Sequence, residues 1–271
     1  MKNINDVKSA SHQKRVTPRN YFHLVAFILF VVTNLAFAQN PVKPGVYPWP
    51  TASSEKNSAQ VVLSGTATDL NFFEVTANVL ARGKQQKTNV PATHEHLLLI
   101  NSESITVMLN DSTYTLVKGS VALVMPGEKY SIKNNGSNPV NYHVMKYRSR
   151  LPIDLGRGKT SGGSFVKDWN KLTFKPHERG GVRPYFDRPT AMAKRFEMHT
   201  TTLNEGNISH PPHTHAAEEI ILVLEGEVEM LIGETWHKAK QGDVLFAPSK
   251  MPHGLKNIGK GQCSYYAFQW E

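Results

Sequence analysis

The chain has 271 residues, 39% of them hydrophobic and 20% charged, and carries a formal net charge of +9. That length buries one large core or two modest ones, and short β-branched and aromatic runs among 19 Gly and 16 Pro favour many short strands over long helices. A single cysteine, Cys263, excludes an intramolecular disulfide and a CxxC metal site, and no basic run is interleaved with aromatics as a nucleic-acid surface requires.

Residues 1–38 read as a signal peptide. Lys2, Lys8, Lys14, Arg15 and Arg19 precede an apolar stretch from Tyr21 to Ala38 that ends in Ala36-Phe37-Ala38. This is the small-x-small pattern of a cleavage site, and the apolar core, Leu24 to Val32, is short for a membrane span. The expectation is a periplasmic or secreted protein that starts at Gln39 and has no stable membrane insertion after cleavage. Loss of five basic residues and one acidic residue leaves +5, which suits an anionic substrate or merely reflects solvated lysines.

Residues 39–60, with Pro41, Pro44, Pro48 and Pro50, form an extended arm. Tyr47 and Trp49 either dock on the fold or belong to a tether. From Phe73 onward the chain repeats itself at an offset of 123. Phe73 matches Phe196, Glu74 matches Glu197, Leu80 matches Leu203 and Gly83 matches Gly206. Without a gap, Gly119 then matches Gly242, Asn134 matches Asn257, Gly136 matches Gly259 and Tyr142 matches Tyr265. The domains expected are an N-terminal barrel over 61–148, a connector over 149–189 and a C-terminal barrel over 190–271. In the connector, Trp169, Leu172 and Phe174 suggest a strand covering one barrel. The arginines that follow, Arg188 among them, hold either a substrate carboxylate or an interdomain ion pair.

The second copy carries the chemistry. His213, His215 and Glu219 are spaced by even numbers, so an extended segment turns all three to one face. A second β run, Asp243 to Ala247, and a turn with Pro248 and Pro252 return His253 beside them. Three imidazoles and a carboxylate make a ligand set for Mn, Fe, Ni, Cu or Zn, with Mn or Fe favoured, and leave positions open for water or substrate. The adjacent Glu218 points to the other face. In the last strand Tyr266, Phe268 and Trp270 alternate with Tyr265 and Gln269, and one of these sets lines the cavity. Tyr266 and Phe268 are the substrate-binding candidates, with Arg188, and no catalytic residue is assigned.

The pattern Gly206…His213-Thr-His215-x3-Glu219-x6-Gly226, followed by Gly242-x5-Pro248…His253-x3-Asn257, resembles the paired motifs of the cupin superfamily. Two departures are visible: an extra residue between Gly206 and His213, and Lys250 where the family has glycine. The resemblance implies an all-β protein of two tandem cupin barrels, a bicupin, with the two histidines, the glutamate and the later histidine binding one divalent metal. In the first copy the corresponding positions hold Val90, Ala92, His96 and Tyr130. That barrel is therefore metal-free, or it has a rearranged site at His94 and His96 across a bulge near Pro91. Members of the superfamily catalyse many reactions, so the fold does not choose among a metalloenzyme for a small sugar- or carboxylate-type substrate and a non-catalytic sugar-binding protein. The two-barrel plan is also similar to (S)-ureidoglycine aminohydrolases, which bind manganese through a Glu-His-His-Gln set that this chain does not keep. The partner expected is a small molecule, and a homo-oligomer is left open.

Overall fold

A computed structural model describes residues 40–50 and 56–271, so the leader expected over 1–38 lies outside the described residues. The fold is β throughout, with a single six-residue α-helix, Leu155–Thr160, among the described residues. None of these residues form a helix long and apolar enough to cross a membrane. The first half contains β1 (Gly45–Tyr47), β2 (Ser58–Gly65), β3 (Leu70–Leu80), β4 (Gln85–Asn89) and β5 (Glu95–Ile100). It continues through β6 (Ser104–Leu109), β7 (Ser112–Val117), β8 (Val121–Val124), β9 (Lys129–Lys133) and β10 (Val140–Ser149). After the helix come β11 (Phe165–Lys167), β12 (Lys175–His177), β13 (Gly180–Arg188), β14 (Phe196–Leu203) and β15 (Glu218–Glu225). The chain closes with β16 (Glu227–Ile232), β17 (Thr235–Lys240), β18 (Val244–Ala247), β19 (His253–Asn257) and β20 (Cys263–Trp270).

Each half folds a large sheet over a small one. The order β11-β8-β5-β10-β3-β2 faces β4-β9-β6-β7 in the first half, and β1-β18-β15-β20-β14-β13-β12 faces β17-β16-β19 in the second. The offset of 123 survives strand by strand: β6, β7 and β8 map onto β16, β17 and β18 without a residue of slip. Corner residues map as well. Asn134 donates to the carbonyls of Leu80 and Asn138 and accepts from the Gly136 N–H, and Asn257 does the same with Leu203, Gly261 and Gly259.

Strand alternation sorts the apolar residues into three cores. Val90, Leu98, Ile100, Val107, Tyr130 and Tyr142 fill the first barrel, while Leu203, Ile221, Val223, Met230, Leu255 and Tyr265 line the second. The opposite faces of both large sheets meet in a third core that includes Phe73, Leu97, Tyr147, Phe196, Phe246, Phe268 and Trp270. Phe73 lies 5.6 Å from Phe246 and 5.4 Å from Trp270, centroid to centroid. At roughly 1.5–3 kcal/mol per fully buried large side chain, this shared core is a major contribution to holding the two barrels together.

The barrels also exchange edges. The N-terminal strand β1 pairs with β18 of the second barrel, and β11, from the segment between the barrels, pairs with β8 of the first. Trp49 follows β1 and packs over Gly242, with its N–H donating to Asp243 at 2.8 Å. Trp169 packs over the equivalent Gly119 and donates to Ser120 at 3.0 Å. Both glycines have φ of +91°, and a Cβ at either would run into the indole. The arm therefore docks through Trp49, and the segment between the barrels covers the first barrel with Phe165 and Trp169.

Two buried glutamates complete the exchange. Glu95 of the first barrel accepts from the Ala191 N–H at 2.9 Å, from Thr190 Oγ1 and from Tyr147 OH, both at 2.7 Å. Glu218 of the second accepts from the Thr68 N–H at 2.8 Å and from Trp270 Nε1 at 3.2 Å. Each carboxylate thus satisfies a backbone donor in the bend that leads into the other barrel, where an unpaired N–H would cost about 1–3 kcal/mol.

Candidate metal centre

His213 and His253 are brought together by the backbone. Each donates its N–H to the other's carbonyl at 3.0 Å, an antiparallel pair that sets their side chains beside one another. The turn before β19 fixes His215: the Lys250 N–H donates to the His215 carbonyl at 2.8 Å. Lys250 itself has φ of 62°, in the left-handed region, and its equivalent in the first barrel is Gly127 with φ of 78°. The left-handed turn of the first barrel is therefore kept at a lysine in the second, at a cost of roughly 1–2 kcal/mol.

One ligand atom from each of His213, His215 and His253 falls within 4.8 Å of the others, and ring centroids are 4.6–5.2 Å apart. Among the described residues this is the one group of three such ligands held so closely. Backbone carbonyls orient two of the rings: Nδ1 of His215 lies 2.9 Å from the Ala217 oxygen, and Nδ1 of His253 lies 2.7 Å from that of Met251. With Nδ1 protonated to make these bonds, Nε2 of each presents a lone pair to the centre.

Glu219 Oε2 is 2.9 Å from His253 Nε2 and 3.6 Å from His215 Nε2. The shorter contact lacks hydrogen-bond alignment, and buried Nε2 of His253 makes no hydrogen bond. Two acceptors aimed past one another at a common point are what a cation-binding site needs, so the residues fit a metal. Burial pushes the Glu219 carboxyl up, but the hydrogen bonds and charge that His215 and His253 bring when a second ring proton is added outweigh it and hold the carboxyl down, to about 2. Glu219 raises the His215 imidazole in turn, while burial and the neighbouring imidazoles lower His213.

These groups open into a cavity of about 240 Å³, lined by six of the chain's 12 histidines: His177, His199, His210, His213, His215 and His253. Glu219, Gln269, Thr201 and Tyr265 add polar atoms, and Val182, Leu203, Ile221, Met230 and Leu255 make the apolar wall. His177 comes from the β12–β13 hairpin and His199 from β14, and sequence reasoning assigned a role to neither. Glu197, His199, Thr201 and Leu203 alternate with the apolar interface residues Phe196 and Met198, which was the available signal for His199.

The three substrate-binding candidates stand elsewhere. Tyr266 and Phe268 lie on the outer face of β20, in the core between the barrels, where Tyr266 OH donates to the Ile100 and Ser120 carbonyls. The inward face is Tyr265, Ala267 and Gln269. Arg188 is folded against the connector, bonded to the carbonyls of Ser161 and Gly163 and stacked on Phe165 at 4.2 Å. In the first barrel, His96 lies beside Tyr130, Nδ1 to OH 3.4 Å, and His94 packs against Phe72. Tyr130 thus occupies the place that His253 takes in the second barrel.

Residues 199–268 match the cupin domain family. The chain is 25% identical over 81 residues to an (S)-ureidoglycine aminohydrolase of Arabidopsis thaliana, covering 30% of this chain and 27% of that one. It is 23% identical over 158 residues to a protein of Oryza sativa subsp. japonica named for the same activity, covering 58% of this chain and 49% of that one. The matches thus span a quarter to a half of those relatives' lengths. Oxalate decarboxylase of Lactobacillus farciminis superposes with a TM-score of 0.65 at 12% identity, over 85% of this chain and 87% of that one. Residues 199–268 thus carry the match to the cupin domain family, and the fold of the described residues, two barrels that exchange edges, is similar to that of this solved structure.

Proposed function

We propose that this chain is an exported metalloenzyme that binds one divalent cation through His213, His215, Glu219 and His253 and acts on a small anionic substrate of the carboxylate or sugar-acid class. The observation that carries the reading is the cluster of three imidazoles within 4.8 Å of one another, with the half-buried Glu219 carboxylate beside two of them, in a cavity of small-molecule size. A divalent ion of the Mn or Fe type there supplies Lewis-acid polarisation of a substrate oxygen. Glu219 offsets its charge, and the carbonyls of Ala217 and Met251 keep His215 and His253 in the binding tautomer. His177 and His210 place further imidazole donors along the wall, suited to an oxyanion, while Leu203, Ile221 and Leu255 exclude water behind it.

Elemental analysis of the purified protein, followed by a screen over small carboxylates and sugar acids with and without chelator, tests the reading. One metal per chain and turnover that chelator abolishes are expected. Retention of a carboxylate or sugar without turnover would make the protein a binding module instead, and a metal-free chain that neither turns over nor retains any of these compounds would overturn both. Export is proposed on the charged and apolar pattern of residues 1–38, and an exported species whose mass starts anywhere but Gln39 would refute cleavage after Ala38. The two plant relatives favour a second reading, hydrolysis of a ureido acid, and including such a compound in the screen decides it.

A further inference from the structure

Glu197 and His199 stand two apart on β14, on the face turned into the second barrel. His199 Nδ1 is 2.8 Å from Glu197 Oε1, and Gln269 donates Nε2–H to the other carboxylate oxygen at 3.1 Å. Glu197 is therefore held from β20 and in turn fixes the imidazole. Nε2 of His199 makes no hydrogen bond among the described residues, and the ring forms part of the wall of the cavity that contains the three-histidine cluster.

The first barrel shows what this arrangement replaces. At the equivalent positions Glu74 is paired with Lys146 at 2.7 Å, and Thr76 occupies the place of His199. There the lysine ammonium neutralises the glutamate, and the pair has no second proton site. In the second barrel Lys146 becomes the neutral Gln269 and Thr76 becomes His199, so the group that answers the carboxylate's charge is one that can release and regain a proton near neutrality.

We propose that His199, oriented by Glu197 and Gln269, is the proton-transfer residue of the cavity, working on a substrate held at the histidine cluster; this rests on the reading of the second barrel as an enzyme site. Its neutral Nε2 takes a proton from a substrate C–H, N–H or O–H, whose bonding electrons stay on the substrate atom. The imidazolium is balanced by the Glu197 carboxylate, and the same proton is returned to product or water. Burial alone would lower the His199 imidazole, but the hydrogen bond and charge of Glu197, with the charge of Glu219, outweigh it and raise it. That direction favours acceptance of a proton.

The test uses the full chain loaded with zinc, treated with diethyl pyrocarbonate at pH 8 and mapped by mass spectrometry. Carbethoxylation of His199 is expected while the three clustered histidines are protected by zinc, with a rate about threefold lower in Glu197→Gln because the imidazole loses its anionic partner. No modification of His199 in the wild-type protein, or no change in Glu197→Gln, would overturn the proposal. In parallel, His199→Gln should keep zinc at wild-type stoichiometry while turnover of any chelator-sensitive substrate falls on the order of 100-fold. Wild-type turnover in that variant, or loss of its zinc, would also overturn it. If no compound in the screen is turned over, the enzyme reading fails, and the carbethoxylation result still decides whether the pair presents a reactive nitrogen.

Discussion

At an offset of 123 the barrels keep the same strands, the same corner asparagines, the same buried glutamates and a largely apolar interior, yet a small set of inward positions has been exchanged. Val90, Tyr130 and Tyr142 pack the first barrel. Where Val90, Ala92, His96 and Tyr130 stand, the second barrel has His213, His215, Glu219 and His253. The comparison separates two tasks that a single barrel would have to combine. The shell and the face between the barrels hold the fold, and there the changes between copies stay apolar, as in Leu123 and Phe246 or Tyr147 and Trp270. The inward positions hold little of that shared core, so one copy could fill with apolar and aromatic side chains while the other kept a polar cavity.

Neighbouring glutamates on β15 offer the sharpest way to break this division. Glu219 faces the histidines and Glu218 faces the first barrel. Glu219→Gln removes the charge that offsets a divalent cation, so metal affinity should fall at least about 100-fold while the thermal midpoint of the metal-free protein moves little. Glu218→Gln should do the reverse: metal stoichiometry unchanged, stability lower by about 1–3 kcal/mol, because its amide cannot accept from both Thr68 N–H and Trp270 Nε1 as a carboxylate does. Glu95→Gln should match Glu218→Gln, since it caps Ala191 as Glu218 caps Thr68. Denaturant melts with elemental analysis measure both, and a shared loss of metal and stability in all three variants would erase the division.

Acid sharpens the comparison because the buried His96 and His143 of the first barrel respond with the opposite sign to His199 and His215 of the second, although the exposed His213 follows the first pair. In the first, burial lowers His96 to about 4, helped by the charges of Lys146 and His94, and lowers His143 to about 3. A depressed histidine contributes stability above its unfolded value of about 6.5 that is lost as pH falls toward the folded value. In the second barrel His199 and His215 are raised by Glu197 and Glu219, so their contribution is present below about 6.5 and fades as pH rises. Glu219, held at about 2, keeps its contribution until pH drops below about 4.5. Between pH 6.5 and 5, chelator-treated protein should therefore lose stability mainly through the first barrel, by at most about 2 kcal/mol per buried histidine. Replacing His96 and His143 by Gln should flatten that loss, and an unchanged pH slope would show that the titrating groups lie elsewhere.

Much of this was legible in the residues. The constant spacing of glycines and asparagines exposed the duplication, and the even spacing of His213, His215 and Glu219 exposed the ligand set, because both depend on local periodicity. Two features were not. The exchange of β1 and β11 follows an offset of 120, matching Trp49 to Trp169, and so falls outside the repeat at 123. The inward face of β20 was ambiguous because both faces are buried: Tyr266 and Phe268 meet the other barrel, while Tyr265 and Ala267 meet the cavity. Alternation identifies two sets but cannot rank them when neither faces water. Pairing Thr201 with Tyr265 across the sheet resolves it, and that register needs the structure.

The smallest effect expected concerns one turn present in both copies. Lys250 and Gly127 occupy the same left-handed position, φ 62° and 78°, before the strands that carry His253 and Tyr130. A lysine pays for its Cβ in that conformation and a glycine does not, whereas glycine leaves the unfolded chain more entropy to lose. The first term is roughly 1–2 kcal/mol and the second about 0.4–1 kcal/mol, so Lys250→Gly should stabilise by about 0 to 1.6 kcal/mol. Gly127→Ala should destabilise by a similar amount. Nothing lies within 4 Å of a Cβ built on Gly127, so backbone conformation alone sets that cost. Because the Lys250 N–H, unchanged in the glycine variant, bonds to the His215 carbonyl, metal affinity should stay within a few-fold of wild type. A large loss of metal on Lys250→Gly would mean that the lysine side chain, and not merely its backbone, belongs to the site. The two copies of the turn would then differ in function as well as in sequence.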